Sequence, residues 1–407
     1  MRIALISSEY VTEANYDGGL ANYVYRLAQA LVHLGNEVTV ITLSDRAGET
    51  EADGIRLLRV PLILPKWLTA LNILTLRRFA KLIHLSRLGW LLNRGLRALH
   101  QRTPFAIAQY SQLAGLSLFH PREIPAVIRL SSYTPIWREK GGYDYESGFR
   151  MWQQELLERW AIKGADAVFS PSRVMADVVS TKLKRPVAVI ENPYVQESIP
   201  WDRSLYEKQL AGKTYLFFFG RLNVLKGVAV IADILVPLLG SHPDLYFALA
   251  GHDPGTYRGI PMSEHLKRMA GKEGERVLCL GKLPHTVLYP IISGALAVVL
   301  PSLIDNLPNT CLEAMAMQKV VVGTTGTSLD QLIRDGESGL LCRPADPGDL
   351  LRTLEKLLAM PLAARAEMGR RAKERIAALK PERTIPQLLS WYEEVIARKT
   401  DRSRQEA

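Results

Sequence analysis

The chain has 407 residues, with 51 Lys and Arg against 41 Asp and Glu for a net charge of +10, and 47% of it is apolar. At roughly 100–200 residues per domain this predicts two or three domains with ample core; a charged fraction of 23% with 8% aromatics excludes a disordered or fibrous chain. The charge is local. Between Gly54 and Arg122 there is no Asp or Glu but eleven Lys and Arg, so the other 338 residues sum to −1. That excludes a general basic coat for nucleic acid and points to one anionic contact surface.

The opening MRIALISSEY is too short an apolar run, and too soon polar, to read as a signal peptide. Cys279, Cys311 and Cys342 are therefore expected to stay reduced, and their spacing matches no metal-ligand pattern. Short β-branched or apolar runs alternate with helical patterns throughout, the signature of βαβ units and parallel sheets. The predicted strands of the first half are Arg2–Ser7, Glu37–Thr42, Ile55–Val60, Phe105–Tyr110, Ala126–Leu130, Ala165–Ser170 and Val187–Ile190. Leu20–Leu34 carries Leu20, Val24, Leu27, Leu31 and Leu34 at helical spacing, with Gly35 as its C-cap.

From Pro193 to Lys213 periodicity is lost, and this stretch reads as an interdomain connection. A second series follows: Thr214–Phe219, Leu245–Ala250, Arg276–Leu280, Ala295–Leu300, Val320–Gly323 and Gly339–Cys342. Thr286–Ile304 carries no charge before Asp305, but Pro290 and Pro301 interrupt it, so it reads as buried helix and strand rather than a membrane span. Pro381 and Pro386 are expected to interrupt the pattern before a last helix over about Pro386–Arg398, anchored by Trp391 and Tyr392. The expected organisation is an N-terminal domain over 1–195, a linker over 196–212, a second domain over 213–380, and a C-terminal helix within 381–407 that crosses back to the first domain. Two doubly wound Rossmann-like α/β domains would bind ligand in a cleft at the carboxyl ends of their sheets.

Three motifs carry chemistry. Gly18 and Gly19 follow the first strand and precede a helix, where backbone can approach a ligand closely and unpaired N–H groups attract phosphate. An ordinary loop entering a helix is the alternative. In FFFGRLNVLKG a strand ends at Gly220, and Arg221 and Lys226 lie five apart on the following loop, able to bracket a diphosphate. A solvated basic turn is the alternative there. In LPSLIDNLPNTCLEAMAM, Asp305 and Glu313 stand eight apart across a polar turn entering a helix, a spacing suited to holding hydroxyls of two sugar rings joined by phosphates. Spacing alone leaves Glu313 open as a surface residue. His252 in AGHDPG reads as a loop residue near a nucleotide rather than a catalyst.

With these residues the chain resembles the retaining glycosyltransferases of family 4, which have the two-domain GT-B fold. The resemblance runs through the Gly-Gly loop, GRLNVLKG, ALAGHDPG, DNLPNTCLEAMA and DQLIRDGESGLLCRPAD. It implies that Arg221 and Lys226 hold the diphosphate of a nucleoside diphosphate sugar, and that Glu313 accepts ribose hydroxyls. Asp305 matches the first acid of the family's E-x7-E pattern, which holds the transferred sugar. Asn306, Leu307, Pro308, Asn309 and Thr310 match the turn along sugar and phosphate. Gly18 and Gly19 match the N-terminal-domain loop, and Gly251 and Gly281 match loops near the base. With Arg221, Lys226 and Asp305 as the catalytic set, it implies a metal-independent reaction with no resident cofactor. Three departures stand out: Asp305 replaces the usual Glu, Ser131 and Ser132 occupy the place of a family His-Asp, and Gln318 and Val320 stand where Gly and Pro are preferred.

The resemblance leaves the Leu-rich basic segment 62–102 unexplained. Lys66, Arg77, Arg78, Lys81 and Arg87 give it an acid-free polar face fit for an anionic lipid interface or an acceptor, or else a solvated helix face. The implied activity is transfer of a hexose from a UDP- or GDP-sugar to a glycan or lipid-linked acceptor in polysaccharide, lipopolysaccharide or glycolipid synthesis. The implied place is the cytoplasm or the inner face of its membrane. An epimerase on the same fold, or a non-catalytic sugar-nucleotide or anionic-lipid binding protein, is the alternative.

Overall fold

The computed structural model describes residues 1–13, 19–62, 78–141, 148–196, 199–255 and 257–406. The chain divides into two compact units, one of Met1–Arg138, Glu146–Val195 and Lys380–Ala407, the other of Glu139–Tyr145 and Gln196–Leu379.

The first unit holds an eight-stranded sheet in the order β3-β4-β2-β1-β5-β6-β7-β8. Its strands are β1 (Arg2–Ser7), β2 (Glu37–Ser44), β3 (Gly48–Ala52), β4 (Ile55–Pro61), β5 (Ile107–Ser111), β6 (Ala126–Arg129), β7 (Ala167–Ser170) and β8 (Ala188–Val189). All pairings are parallel except β3 with β4. The pattern did not predict β3, because GETEA is exposed along its whole length and has no apolar face to alternate. Its turn was written as Asp53-Gly54, whose φ values of 54° and 74° suit a two-residue hairpin.

Helix Gly19–His33 buries Val24, Leu27 and Leu31 against this sheet and ends at Gly35, whose φ is 77°. The same core takes in Ile385, Leu388, Tyr392 and Val395 from the last helix, Pro381–Glu406. Tyr392 donates from its hydroxyl to Gln109 Oε1 on β5, and Lys399 pairs with Asp166. This helix corrects the expected break at the two prolines. Pro381 opens it, where a missing N–H costs nothing, and Pro386 lies inside it, giving up one bond while Ile385 and Leu388 hold the helix to the core.

The second unit holds a six-stranded, wholly parallel sheet in the order β11-β10-β9-β12-β13-β14. Its strands are β9 (Thr214–Phe219), β10 (Leu245–Ala250), β11 (Val277–Cys279), β12 (Ala297–Val299), β13 (Val321–Thr324) and β14 (Leu340–Cys342). Helices cover both faces, so Leu216, Phe217, Phe218 and Phe219 are buried in an unbroken run. The uncharged stretch forms helix His285–Gly294 and then β12. The proposed linker 196–212 contains a helix, Ser204–Gln209, and groups with the second unit. At six residues, with no buried side chain, it was too short to show a period. Among the described residues no helix is long and apolar enough to cross a membrane.

Candidate active site

In the second sheet the chain winds one way from β9 through β10 to β11 and the other way from β12 to β14. The strand order therefore reverses between β9 and β12, and open α/β sheets bind ligands at the carboxyl ends of such a pair. The two motifs singled out in the sequence leave from those two ends: Gly220–Gly227 after β9 and Pro301–Thr310 after β12.

The loops are tied at backbone and side chain. Leu303 N–H donates to Leu225 C=O at 2.8 Å. Gly227 has φ 73°, and a Cβ there would lie 1.9 Å from the carbonyl oxygen of Pro301, so only glycine permits this approach. Asn223 accepts the Lys226 N–H on its side chain, capping the short turn Val224–Lys226. The Lys226 ammonium then reaches Asp305 Oδ2 at 2.7 Å. Asp305 is buried and also accepts from Ser302 Oγ and from the N–H of Asn306. A lysine ammonium has three donors, so protons remain for phosphate oxygens beyond the one given to Asp305. Arg221 is exposed at the start of its loop.

The turn Asp305–Pro308 carries strain: Leu307 has φ 56°, a region costly for a side-chain-bearing residue. Burial of Leu307 and a 2.8 Å bond from its N–H to Ser328 Oγ hold it there. Pro308 precedes helix Asn309–Ala316, which starts with the N–H groups of Asn309 and Thr310, groups with no acceptor inside the helix. Thr310 packs beside Gly220, its Cγ2 3.8 Å from where a Cβ would stand. Glu313 is buried on this helix, with Oε1 3.5 Å from His285 Nε2. Sequence reasoning missed His285; its signal was GKLPH, a strand end, a turn and a helix start like the other site loops.

The three glycines after β9, β10 and β11 form a row. Gly220 N–H donates to Ala250 C=O, and Gly251 N–H to Gly281 C=O. Gly251 has φ 151°, and a Cβ there would sit 1.7 Å from the Gly220 oxygen. His252 is exposed, while Asp253 accepts from Gly255, Met262 and Ser263 N–H groups and from Ser263 Oγ. Burial pushes the Asp253 carboxyl up, but these bonds outweigh it and hold its pKa below the usual value.

In the first unit Gly19 is exposed at the first position of its helix, and Gly18 lies outside the described residues. Ser131 Oγ accepts from Arg129, and Ser132 donates from N–H and Oγ to Gln112. Behind them Gln112 Nε2 donates to Glu158, which is fully buried and also accepts from Thr134 and Gln154. Burial raises the Glu158 pKa against the effect of those bonds. Arg129 is buried under the Tyr23 ring, 3.7 Å from its centroid, with Asn192 as a second partner. Arg129 carries no signal in the sequence, where VIRLSS reads as an ordinary strand end.

The basic segment is corrected at Arg87, which is 6% exposed and is thereby removed from any lipid or acceptor surface. Its helix, Ala80–Arg102, packs against Phe149–Gly164, and Arg87 falls on the packed side with Leu88 and Leu92. Lys81 is half-buried and Arg78 exposed, whereas Lys66 and Arg77 lie outside the described residues. Gln153 ties the two helices by accepting from Leu82 N–H and donating to Arg78 C=O. Around them Phe79, Trp90, Phe149, Trp152 and Trp160 are exposed, with the Arg78 guanidinium 5.2 Å from the Phe149 ring. Among the described residues no group of three or more His, Cys, Asp or Glu is placed to hold a metal ion.

Residues 18–193 match the family model of the glycosyl transferase 4-like domain, and residues 213–360 that of glycosyl transferases group 1. The glycogen synthase of Mycobacterium tuberculosis is 25% identical over 393 residues, spanning 93% of this chain and 91% of its own. Among solved structures, sucrose-phosphate synthase from Thermosynechococcus elongatus superimposes with a TM-score of 0.74 at 20% identity, covering 97% of this chain and 99% of that one. The trehalose-6-phosphate protein of E. coli bound with UDP-2-fluoro glucose does so with a TM-score of 0.69 at 15% identity, covering 96% and 99%. These structures share the fold, two parallel-sheet α/β domains of the GT-B type.

Proposed function

The chain belongs to the group 1 glycosyltransferases, and from that premise we propose that it moves a hexose from a nucleoside diphosphate sugar to a glycan or lipid-linked acceptor with retention of anomeric configuration. The observation that carries this reading is the pairing of Lys226 with Asp305 at the reversal of strand order, beside Arg221 and the start of helix Asn309–Ala316. As the bond from sugar to phosphate loosens, negative charge grows on the leaving diphosphate. Arg221, Lys226 and the N–H groups of Asn309 and Thr310 are the groups to stabilise it, each charge-assisted bond contributing roughly 1.5–3 kcal/mol. Glu313 takes the ribose hydroxyls, with His285 beside it. The departing phosphate accepts the acceptor's proton, so the reaction needs neither a protein base nor a metal. The UDP-sugar in the E. coli structure supports UDP as the carrier.

The acceptor belongs to the first unit, and the exposed aromatics with Arg78 and Lys81 support an acceptor presented at an anionic lipid surface, with the protein peripheral to it. Incubation with UDP- and GDP-sugars and a lipid extract tests the reading. Free nucleoside diphosphate with transferred sugar, its anomeric configuration kept, supports it. A changed sugar still on its nucleotide identifies an epimerase, and binding without turnover a non-catalytic protein.

A further inference from the structure

A pocket lies in the second unit at the amino ends of its strands, opposite the loops of the candidate site. It has a volume of about 490 Å3 and is lined at the amino ends of β9 and β13 by Lys213 and Lys319, and on helix Leu362–Ala377 by Arg365. Among the described residues no Asp or Glu lines it. Among the described residues the lysines have neutral partners: Lys213 donates to Gln209 C=O and lies over the Tyr246 ring, and Lys319 donates to Ala295 C=O. Three cations around one concavity, with no carboxylate lining it among the described residues, create a field that selects an anion. Thr214 and Gln318 add polar side chains at the rim, and Leu362, 77% exposed, adds an apolar flank.

The geometry points to a binding site for a small sugar phosphate, its phosphate held by Lys213, Lys319 and Arg365 and its hydroxyls by Thr214 and Gln318. The volume suits a small-molecule ligand, for which pockets span roughly 300–1,000 Å3, better than a bare ion. The site is independent of the donor reading: it occupies the amino rather than the carboxyl ends of the sheet. Gln318 and Lys319 follow helix Asn309–Ala316 after its C-cap Met317, so the two sites lie near opposite ends of one helix about 12 Å long.

Calorimetric titration of the full chain with ribose 5-phosphate, inorganic phosphate and ribose tests the assignment. Ribose 5-phosphate is expected to bind saturably and roughly tenfold or more tighter than phosphate, with ribose silent. Lys213→Gln with Arg365→Gln should weaken it by about tenfold or more, whereas Lys226→Met on the donor side should leave it unchanged. Thermal melts establish that each variant is folded, and Arg365→Gln alone serves if the double variant is not. Absence of saturable binding, unchanged binding in Arg365→Gln, loss in Lys226→Met, or phosphate binding as tightly as the sugar phosphate would overturn it.

Discussion

Lys226 gives Asp305 Oδ2 a hydrogen bond of 2.7 Å, joining the loops at the ends of two neighbouring strands across the reversal in strand order. The carboxylate also accepts from Ser302 and Asn306, so much of its bonding capacity is spent inside the protein. On the proposed reading Asp305 acts chiefly by aiming Lys226, where the resemblance implies a longer Glu that reaches the sugar. Lys226→Met should lower kcat/KM for the donor by about a hundredfold, from one lost charge-assisted bond to the diphosphate. Asp305→Asn should lower it by roughly tenfold. If Asp305 works through Lys226, the double variant will be no worse than Lys226→Met alone. Additive losses would instead give Asp305 its own contact with the sugar.

The row of glycines behind the site gives a paired stability prediction. Gly251→Ala would drive a Cβ to 1.7 Å from the Gly220 oxygen in a backbone conformation closed to alanine. It should cost roughly 3 kcal/mol or more in urea unfolding. Gly281→Ala meets open space and suffers only from its φ of 72°, so about 1 kcal/mol is expected. Equal losses would mean that the close approach of the Gly220 and Gly251 loops does not exist.

The parallel strands were legible because their short length and their β-branched or aromatic content, as in TYLFFF, favour strand over buried helix. The sheet-edge strand β3 was not, since a strand facing solvent on both sides carries no apolar signal. In the candidate site, the loops carrying Arg221, Lys226 and Asp305 and the helix carrying Glu313 were legible beside glycines and a helix start, while the roles of these residues came from the resemblance. Their mutual bonds were not: residues 226 and 305 are 79 apart, and only the strand order brings them together. His285 and Arg129 escaped because each sits at an ordinary strand or helix boundary, and the contact of His285 with Glu313 and the burial of Arg129 show only in three dimensions.

Gln318 shows a departure from the family pattern becoming a physical cost. Its φ is 58°, the left-handed conformation that follows a helix end and favours glycine. Gln318→Gly should therefore stabilise the fold by about 0.5 kcal/mol, the relief of strain being partly offset by the freer unfolded chain. A lower denaturation midpoint in the variant would contradict this.

Asp253 supplies the pH dependence. Its carboxyl is held below the usual value by Ser263 and by three backbone N–H groups, which together outweigh burial. A depressed carboxyl contributes stability that is present above its unfolded pKa, about 3.9, and is lost as pH falls through the folded value. Asp253→Asn should thus flatten the acid limb of the stability curve below about pH 4 and cost about 1 kcal/mol at neutral pH. Melting curves from pH 3 to about pH 7 in both proteins read the difference directly.

The basic segment makes its own prediction, because its positive charges do not share one environment. Arg78 is exposed over the ring of Phe149, which stacks on Trp152, while Arg87 is buried and burial pulls its pKa down. If this face meets an anionic bilayer, Arg78→Gln should weaken sedimentation with anionic vesicles by about fivefold, the worth of one basic residue near the surface. Trp152→Ser should weaken it too, since Trp152 is 48% exposed and its ring suits the headgroup region. Arg87→Gln should leave vesicle binding alone and change the unfolding midpoint instead. Binding to anionic vesicles should fall as salt rises, because exposed charges are screened beyond about 10 Å at 0.1 M ionic strength. Equal binding to neutral vesicles, or an Arg87→Gln effect as large as that of Arg78→Gln, would remove the lipid surface as the reason for the acid-free segment.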